Sequence, residues 1–230
     1  MESLLWKSTE ETSDETGILT RIEHMESINV SLGSNVAVEI REIGVEALPC
    51  YAEIPISFRV ESVFCVEMID HGLGGFSLVE KQVDPYTKAY DVQGDGRDRP
   101  INWGKTFDVS KWGFFLAVDG GHSVGGAAVA IDTLGINMLE TRKDLAVLWD
   151  IRVHPNKRRN GVGSRLFEYA TDWARQKGCK QLKIETQNVN VPACRFYARQ
   201  GCELGAIHRY AYSGSPEVSH EAMLLWYLKL

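Results

Sequence analysis

The segment that most constrains the fold is an apolar strand that runs through a basic, glycine-containing turn into an amphipathic helix. "LAVLWDIRV" (residues 145–153) has the length and apolar content of a buried strand. The turn "HPNKRRNGVG" follows it, and apolar residues then recur every three to four positions over residues 162–173. "KQLKIET" (residues 180–186) supplies a second strand. Residues 145–187 are therefore predicted to form a βαβ unit.

The preceding sequence predicts the antiparallel part of an α+β fold. Apolar and charged residues alternate in "VAVEIREI" (residues 36–43) and "ISFRVESVFCVEMI" (residues 56–69), as they do in half-buried strands. "GFFLAVDGGHSVGGAAVAI" (residues 113–131) is two apolar runs around an Asp-Gly-Gly turn, a pattern typical of a hairpin. Residues 84–105 are rich in Asp, Gly and Pro and are predicted to be a long loop. We therefore expect a mixed, mostly antiparallel central sheet flanked by helices.

Length and charge favour one globular domain with a cationic small-molecule partner. The 230 residues are predicted to form a domain over residues 35–230, preceded by an extension over residues 1–34 that is rich in Glu, Ser and Thr. The net charge of −6 disfavours binding to nucleic acid and suits a cationic substrate. The sequence contains no apolar stretch of membrane-spanning length.

Cysteine and histidine spacing indicates neither a disulfide framework nor a metal site. None of the five cysteines forms a CxxC pair, and the six histidines lack metal-ligand spacing. The N-terminal residues lack the pattern of a secretory signal. We therefore expect a cytoplasmic protein with reduced thiols.

The basic turn has the features of a phosphate-binding site. A strand that enters a helix through glycines leaves backbone N–H groups and the positive end of the helix dipole facing one point. Gly161 and Gly163 would let a pyrophosphate approach the backbone, and Arg158 and Arg159 would neutralise it. The turn lacks the GK[ST] of a Walker loop, and Leu166 breaks the dinucleotide fingerprint GxGxxG. A solvated basic turn is the alternative.

Two ordered motifs resemble the GNAT superfamily of N-acetyltransferases. Arg158-x-x-Gly161-x-Gly163 is similar to the family's R/Q-x-x-G-x-G/A signature. The family's second motif is matched by Asn190, Ala193, Phe196, Tyr197 and Gly201, with Cys202 in the place of the usual aromatic residue. The segments "GGFSLVEKQVDPYTKAYD", "LWDIRVHP" and "ETQNVNVPA" are most similar to streptothricin (nourseothricin) acetyltransferases within that superfamily.

The resemblance implies acetyl-coenzyme A as cofactor and an arm of that cofactor lying along residues 145–153. A backbone N–H near the end of this strand would polarise the thioester carbonyl. The residues expected at the cofactor are Ile151, Arg152, Val153, Arg158, Arg159, Asn160, Gly161, Val162, Gly163, Ser164, Asn190, Ala193 and Tyr197.

Three side chains are candidates for the chemistry. By the resemblance, Tyr197 protonates the departing thiolate, although its alternative role is to pack its helix onto the sheet. Glu185 is the candidate base, and Asp150 is assigned to binding of the amine. A carboxylate in an apolar strand is costly to bury unless it pairs with a cation or is well hydrogen-bonded, and a cationic substrate would be such a partner. Each acid could instead form a structural ion pair, with Arg152 or Lys183 as neighbours in sequence.

The acceptor is expected to be a cationic amine of a streptothricin-type antibiotic. Glu80 and Asp84 could add negative charge to its pocket or be solvated acids, and Trp103 could wall the pocket or pack in the core. Another amine (a polyamine, an aminoglycoside or a protein N-terminus) and a non-catalytic acyl-CoA-binding module are the alternative functions. The C-terminal "MLLWYLKL" is either an edge strand that pairs two copies into a homodimer or an ordinary member of the sheet.

Overall fold

The computed structural model describes residues 38–90, 96 and 99–230. The strands in this part of the chain are β1 (Glu39–Ile43), β2 (Ser57–Met68), β3 (Phe76–Ala89), β4 (Gly113–Asp119), β5 (His122–Ile131), β6 (Leu145–Val153), β7 (Gln181–Gln187), β8 (Glu203–His208) and β9 (Met223–Lys229). The α-helices are α1 (Leu48–Ala52), α2 (Trp103–Thr106), α3 (Val162–Gln176) and α4 (Val191–Arg199). The predicted extension, residues 1–34, lies outside the described residues, so the domain boundary stays a prediction.

Seven strands form a central sheet in the order β1-β4-β5-β6-β7-β9-β8, and β2 and β3 form a separate hairpin. The pairing of β6 with β7 is parallel, and helix α3 connects these two strands. The other described pairings are antiparallel. The predicted α+β class, with a mostly antiparallel sheet and one βαβ unit, is confirmed.

The predicted loop over residues 84–105 is wrong at both ends. Strand β3 continues to Ala89, and helix α2 begins at Trp103. The strand tolerates Pro85 because the register with β2 is irregular there: Val60 pairs with Tyr86, but the next pair is Ser62 with Gln82. A proline in a bulge removes no hydrogen bond from the ladder, so a local proline count misplaces the end of the strand.

The C-terminal strand is an interior member of the sheet. Strand β9 pairs with β7 on one side and with β8 on the other, so both of its edges are occupied. Of the two alternatives for this segment, the ordinary sheet member is therefore correct, and in the described sheet β9 has no open edge through which two copies could pair. None of the helices in the described residues is both long and apolar enough to cross a bilayer.

Alternation along the central strands divides the core between the two faces of the sheet. In β4, Phe115 packs with Trp173 of helix α3, while its neighbour Phe114 stacks on Trp103 of α2 on the other face. Helix α3 buries Leu166 in the first of these clusters. This arrangement follows from the two-residue period of a strand set against the 3.6-residue period of a helix.

Helix α1 packs so closely on β5 that only glycine fits at position 126 of this strand. A Cβ atom at Gly126 would lie 2.4 Å from the Tyr51 ring. Tyr51 is fully buried and has an edge contact with Trp103. The contact between Gly126 and Tyr51 therefore fixes the Tyr51 hydroxyl, which reaches the adjacent strand β6.

The β2–β3 hairpin docks on the sheet through Asn188 and a buried ion pair. Asn188 exchanges hydrogen bonds of 2.8–2.9 Å with Phe64 of the hairpin and with Ala222 before β9. Lys88 of β3 forms an ion pair with Glu221, and each side chain is only 3% exposed. One oxygen of Glu221, Oε2, is buried without a hydrogen-bond partner. Both charges must be compensated within the protein, so the pair clamps the hairpin onto the segment that leads into β9.

We expect Glu221→Ala to lower the free energy of unfolding by about 3–5 kcal/mol, because it leaves the Lys88 ammonium buried and uncompensated. Urea denaturation monitored by tryptophan fluorescence measures the change. The matched control is Glu67→Ala, which breaks the exposed pair with Lys81 on the same hairpin and should leave the midpoint unchanged.

The double variant Lys88→Met/Glu221→Leu should recover most of this stability, because neither charge then has to be buried. A Glu221→Ala protein as stable as the Glu67→Ala control would show that the Lys88–Glu221 pair does not hold the hairpin to the sheet.

Candidate active site

Strands β6 and β7 diverge halfway along their length. They pair from Leu145 with Gln181 to Leu148 with Ile184, and the parallel register ends there. On its other side β6 carries a bulge at Trp149, because Leu148 and Asp150 face consecutive residues of β5. A bulge bends a strand and increases its twist, so β6 turns away from β7. Beyond Leu148 the register of the described residues contains no further pair between β6 and β7, and the gap between the two diverging strands is called the cleft below.

The basic turn lies at the end of this cleft. Gly161, at a φ of +79°, is the residue before helix α3 and offers no side chain to cap it. The first α-helical hydrogen bond at this end runs from the Arg165 N–H to the Gly161 carbonyl. The amides of residues 162–164 therefore precede the helical ladder and are directed along the positive end of the helix dipole. These donors suit an anion, and the residues present fit a pyrophosphate group.

The turn residues hold this shape by bonds to the backbone. Arg158 donates from Nε to the Val153 carbonyl (3.0 Å) and from Nη2 to the Ser57 carbonyl (2.6 Å). Burial lowers the pKa of its guanidinium. The Arg158 side chain thus joins the end of β6 to the start of the hairpin. Arg159 and Asn160 are exposed beside it, and Arg159 has a left-handed φ of +66°.

Tyr197 of helix α4 is 5% exposed and packs against Phe167 and Phe196. Burial first, and then the nearby Asp150 carboxylate, raises the pKa of Tyr197 above the ordinary phenol value. A phenol in these surroundings keeps its proton at neutral and mildly alkaline pH, as a proton donor requires.

Asp150 forms the ion pair that was the structural alternative for this residue. Arg152 Nε lies 2.9 Å from Asp150 Oδ1, and Nη2 lies 2.7 Å from Oδ2. The Tyr51 hydroxyl donates a third hydrogen bond to Asp150 (2.6 Å), and burial followed by the Asp150 charge raises the pKa of Tyr51. Arg152 also donates to the Ile54 carbonyl (3.0 Å). The Arg152 side chain is thereby held to Asp150 and Ile54, while Ile151 and Val153 flank it on the edge of the cleft.

Glu185 lies on β7 one residue beyond the last pair with β6. It is half-buried and accepts a hydrogen bond from the hydroxyl of Tyr212 (2.7 Å), which comes from the segment between β8 and β9. The neighbouring cation Lys183 pairs instead with Glu140 (2.6 Å). Lys183, the sequence neighbour that could have formed an ion pair with Glu185, is therefore bound to Glu140.

The two remaining motif residues lie at the start of helix α4. Asn190 is its N-cap, and its side-chain oxygen accepts from the Ala193 N–H (3.2 Å). This hydrogen bond caps the first turn of the helix. The two helices of the site are joined where Gln200, after α4, donates to the Ser164 hydroxyl (3.1 Å).

The residues proposed for the acceptor pocket are less closely gathered. Glu80 accepts from Ser62 (2.6 Å) and forms an ion pair with Arg195 of α4. Asp84 is exposed on the irregular part of β3. Trp103 is 1% exposed and belongs to the aromatic core cluster, so its placement corresponds to the core-packing alternative and not to a pocket wall.

Sequence reasoning missed the two tyrosines that hold the candidate carboxylates. Tyr51 reaches Asp150 across 99 residues of sequence, and Tyr212 reaches Glu185 across 27. Neither tyrosine lies in a recognisable motif, and Tyr212 lies among turns rich in Ser, Gly and Pro. Only the tertiary structure brings these pairs together.

Removing the charge of Asp150 should lower the free energy of unfolding more than removing the charge of Glu185. Asp150→Ala is expected to lower the free energy of unfolding by about 3–5 kcal/mol, because the Arg152 side chain, 2% exposed, loses its counterion. Glu185→Gln should cost about 1 kcal/mol, the scale of one hydrogen bond. Chemical denaturation of both variants measures the difference. Equal stabilities would show that Asp150 is not a structural ion-pair partner.

Comparison with known proteins agrees with this geometry. A family model described as "Acetyltransferase (GNAT) family" matches residues 77–202. A streptothricin acetyltransferase of Escherichia coli is 32% identical over 170 residues, which span 74% of this chain and 84% of that protein.

Two solved structures are also similar. A putative streptothricin acetyltransferase from Bacillus anthracis str. Ames, in complex with acetyl coenzyme A, has a TM-score of 0.65 and 25% identity, covering 84% of this chain and 100% of the other. Nourseothricin acetyltransferase has the same TM-score and 28% identity, covering 84% and 98% of the two chains. With its divergent strands, its uncapped helix and these relatives, the chain belongs to the GNAT family of acetyltransferases.

Proposed function

We propose that this enzyme transfers the acetyl group of acetyl-CoA to a primary amine of a cationic small molecule, with a streptothricin-type antibiotic as the acceptor. The observation that carries the proposal is the divergence of β6 from β7 directly before the uncapped N-terminus of α3. Acetyl-CoA supplies the thioester whose acyl group is transferred. The streptothricin acetyltransferases among the relatives, and the net charge of −6, support a cationic acceptor.

The cofactor would be held by backbone and cationic groups along one edge of the cleft. The amides of residues 162–164 and the exposed guanidinium of Arg159 would bind the pyrophosphate. The edge of β6 beyond the last pair with β7, at Ile151 and Val153, would pair with the pantetheine amides in the manner of an added strand. An N–H on the same edge would stabilise the oxyanion that forms at the thioester carbonyl.

The proton transfers would be divided between a phenol and a carboxylate. Tyr197, whose raised pKa keeps it protonated, would protonate the departing thiolate. Glu185, half-buried on the opposite strand, would accept the proton that the ammonium must lose before it attacks. Asp150 would act on the amine only at long range, through the electrostatic field of its ion pair, since Arg152 and Tyr51 already contact both of its oxygens.

Five free cysteines agree with action in the cytoplasm, where thiols stay reduced.

A thioester-consumption assay over a panel of amines tests the proposed acceptor. The panel contains streptothricin, spermidine, an aminoglycoside and a peptide with a free N-terminus. We expect acetyl-CoA consumption with streptothricin at a higher kcat/KM than with the other amines, and mass spectrometry should find one acetyl group on its β-lysine moiety. Turnover of the other amines without streptothricin would contradict the proposed acceptor. Coenzyme A binding without turnover of any amine would indicate a non-catalytic module.

Tyr197→Phe is expected to lower kcat by about 10²–10⁴-fold, the usual contribution of a general acid. Calorimetry should find the affinity for coenzyme A unchanged, because the phenol ring is retained. Tyr169→Phe on the exposed face of α3 is the matched control and should keep wild-type activity. Unchanged turnover in Tyr197→Phe would remove this residue as the proton donor.

A further inference from the structure

Two polar side chains lie on the same side of β7 near the end of the strand. Glu185 and Gln187 are two residues apart, so their side chains project to one face of the sheet. Both lie beyond Ile184, where β7 no longer pairs with β6. Each accepts a hydrogen bond from a tyrosine outside the strand: Tyr212 donates to Glu185 at 2.7 Å, and Tyr90 donates to Gln187.

The two phenols come from separate segments that one ion pair joins. Tyr90 follows β3, two residues after Lys88, and the Lys88 ammonium lies 5.5 Å from the centre of the Tyr90 ring. Tyr212 lies in the segment that ends at Glu221, the partner of Lys88. The Lys88–Glu221 pair therefore joins the segments that carry Tyr90 and Tyr212, and each tyrosine donates to a residue at the end of β7.

Electrostatics keeps both phenols in the protonated form beside the carboxylate. Burial first, and then the Glu185 charge, raises the pKa of Tyr212. Burial also raises the pKa of Tyr90, with smaller contributions from Glu221 and Glu185. The two hydroxyls donate to Glu185 and Gln187, which lie two residues apart at the end of β7. A phenol that donates its proton still has oxygen lone pairs that accept hydrogen bonds.

We propose that Tyr212 and Tyr90 are acceptor-positioning residues: with Glu185, their phenol oxygens form a three-point cradle for the ammonium of the incoming amine. A primary ammonium has three N–H donors, which match one carboxylate and two phenol oxygens. The hydrogen bond from Tyr212 fixes the Glu185 carboxylate in the orientation from which it receives the proton. This inference rests on the proposed amine acetylation and adds the residues that orient the acceptor.

The kinetic test compares Tyr212→Phe with Tyr210→Phe in the full chain. Tyr210 lies in the same segment but is 70% exposed, so its variant should keep wild-type kinetics. In Tyr212→Phe we expect kcat/KM for the amine with the highest wild-type turnover to fall at least about tenfold, the effect of losing a hydrogen bond to a charged group. The KM for acetyl-CoA should not change, and the melting temperature should fall no further than it does in Glu185→Gln, because both variants weaken the same hydrogen bond. Tyr90→Phe should lower kcat/KM for the amine in the same way.

A double-mutant cycle separates positioning from a structural role. Tyr212→Phe in a Glu185→Gln background should have less than about a twofold further effect, because the two residues act as one unit. An equal loss in both backgrounds, or a Tyr212→Phe enzyme indistinguishable from Tyr210→Phe, would overturn the cradle and leave the proposed function standing. A wild-type enzyme that acetylates no amine would overturn the proposed function and the cradle with it.

Discussion

The function of this fold depends on the point at which β6 and β7 stop pairing. Up to Leu148 and Ile184 the two strands form an ordinary parallel ladder buried between two layers of side chains. Beyond it, the bulge at Trp149 directs β6 away and leaves its backbone donors and acceptors without a strand partner in the described structure. A polar backbone edge inside a protein requires a partner. In the proposed function the pantetheine arm of acetyl-CoA, an extended chain with amide groups, would supply this partner. Glu185 lies on β7 and Tyr197 on α4, the helix that follows it.

The hairpin of β2 and β3 is attached to the sheet at a few points of strong interaction. The β2–β3 hairpin is long and separate from the main sheet, and a two-stranded hairpin has little stability of its own. Asn188 and the Lys88–Glu221 pair hold it in place, and both contacts lie close to the end of β7. If the proposed cradle binds the amine, stability and acceptor binding are linked, because the ion pair that docks the hairpin also joins the segments that carry Tyr90 and Tyr212.

The sequence was sufficient for the parts of the fold that local patterns encode. Alternation predicted the strands, glycine and helical periodicity predicted α3, and two spaced motifs indicated the cofactor site. The end of β3 was not predictable, because Pro85 is compatible with a strand only through the irregular register with β2. The roles of Tyr51 and Tyr212 were also hidden, since each hydroxyl meets its carboxylate through tertiary packing. Asp150 illustrates the same limit: the apolar strand around it predicted a required partner, and the structure supplied Arg152 together with a tyrosine.

The most direct measurement of the central claim is a crystal structure of the protein with coenzyme A. The account predicts that the diphosphate accepts hydrogen bonds from the amides of residues 162–164 and that the pantetheine arm lies along residues 151–153, with its sulfur next to the Tyr197 hydroxyl. A diphosphate bound away from the start of α3, or a pantetheine arm outside the gap between β6 and β7, would contradict it.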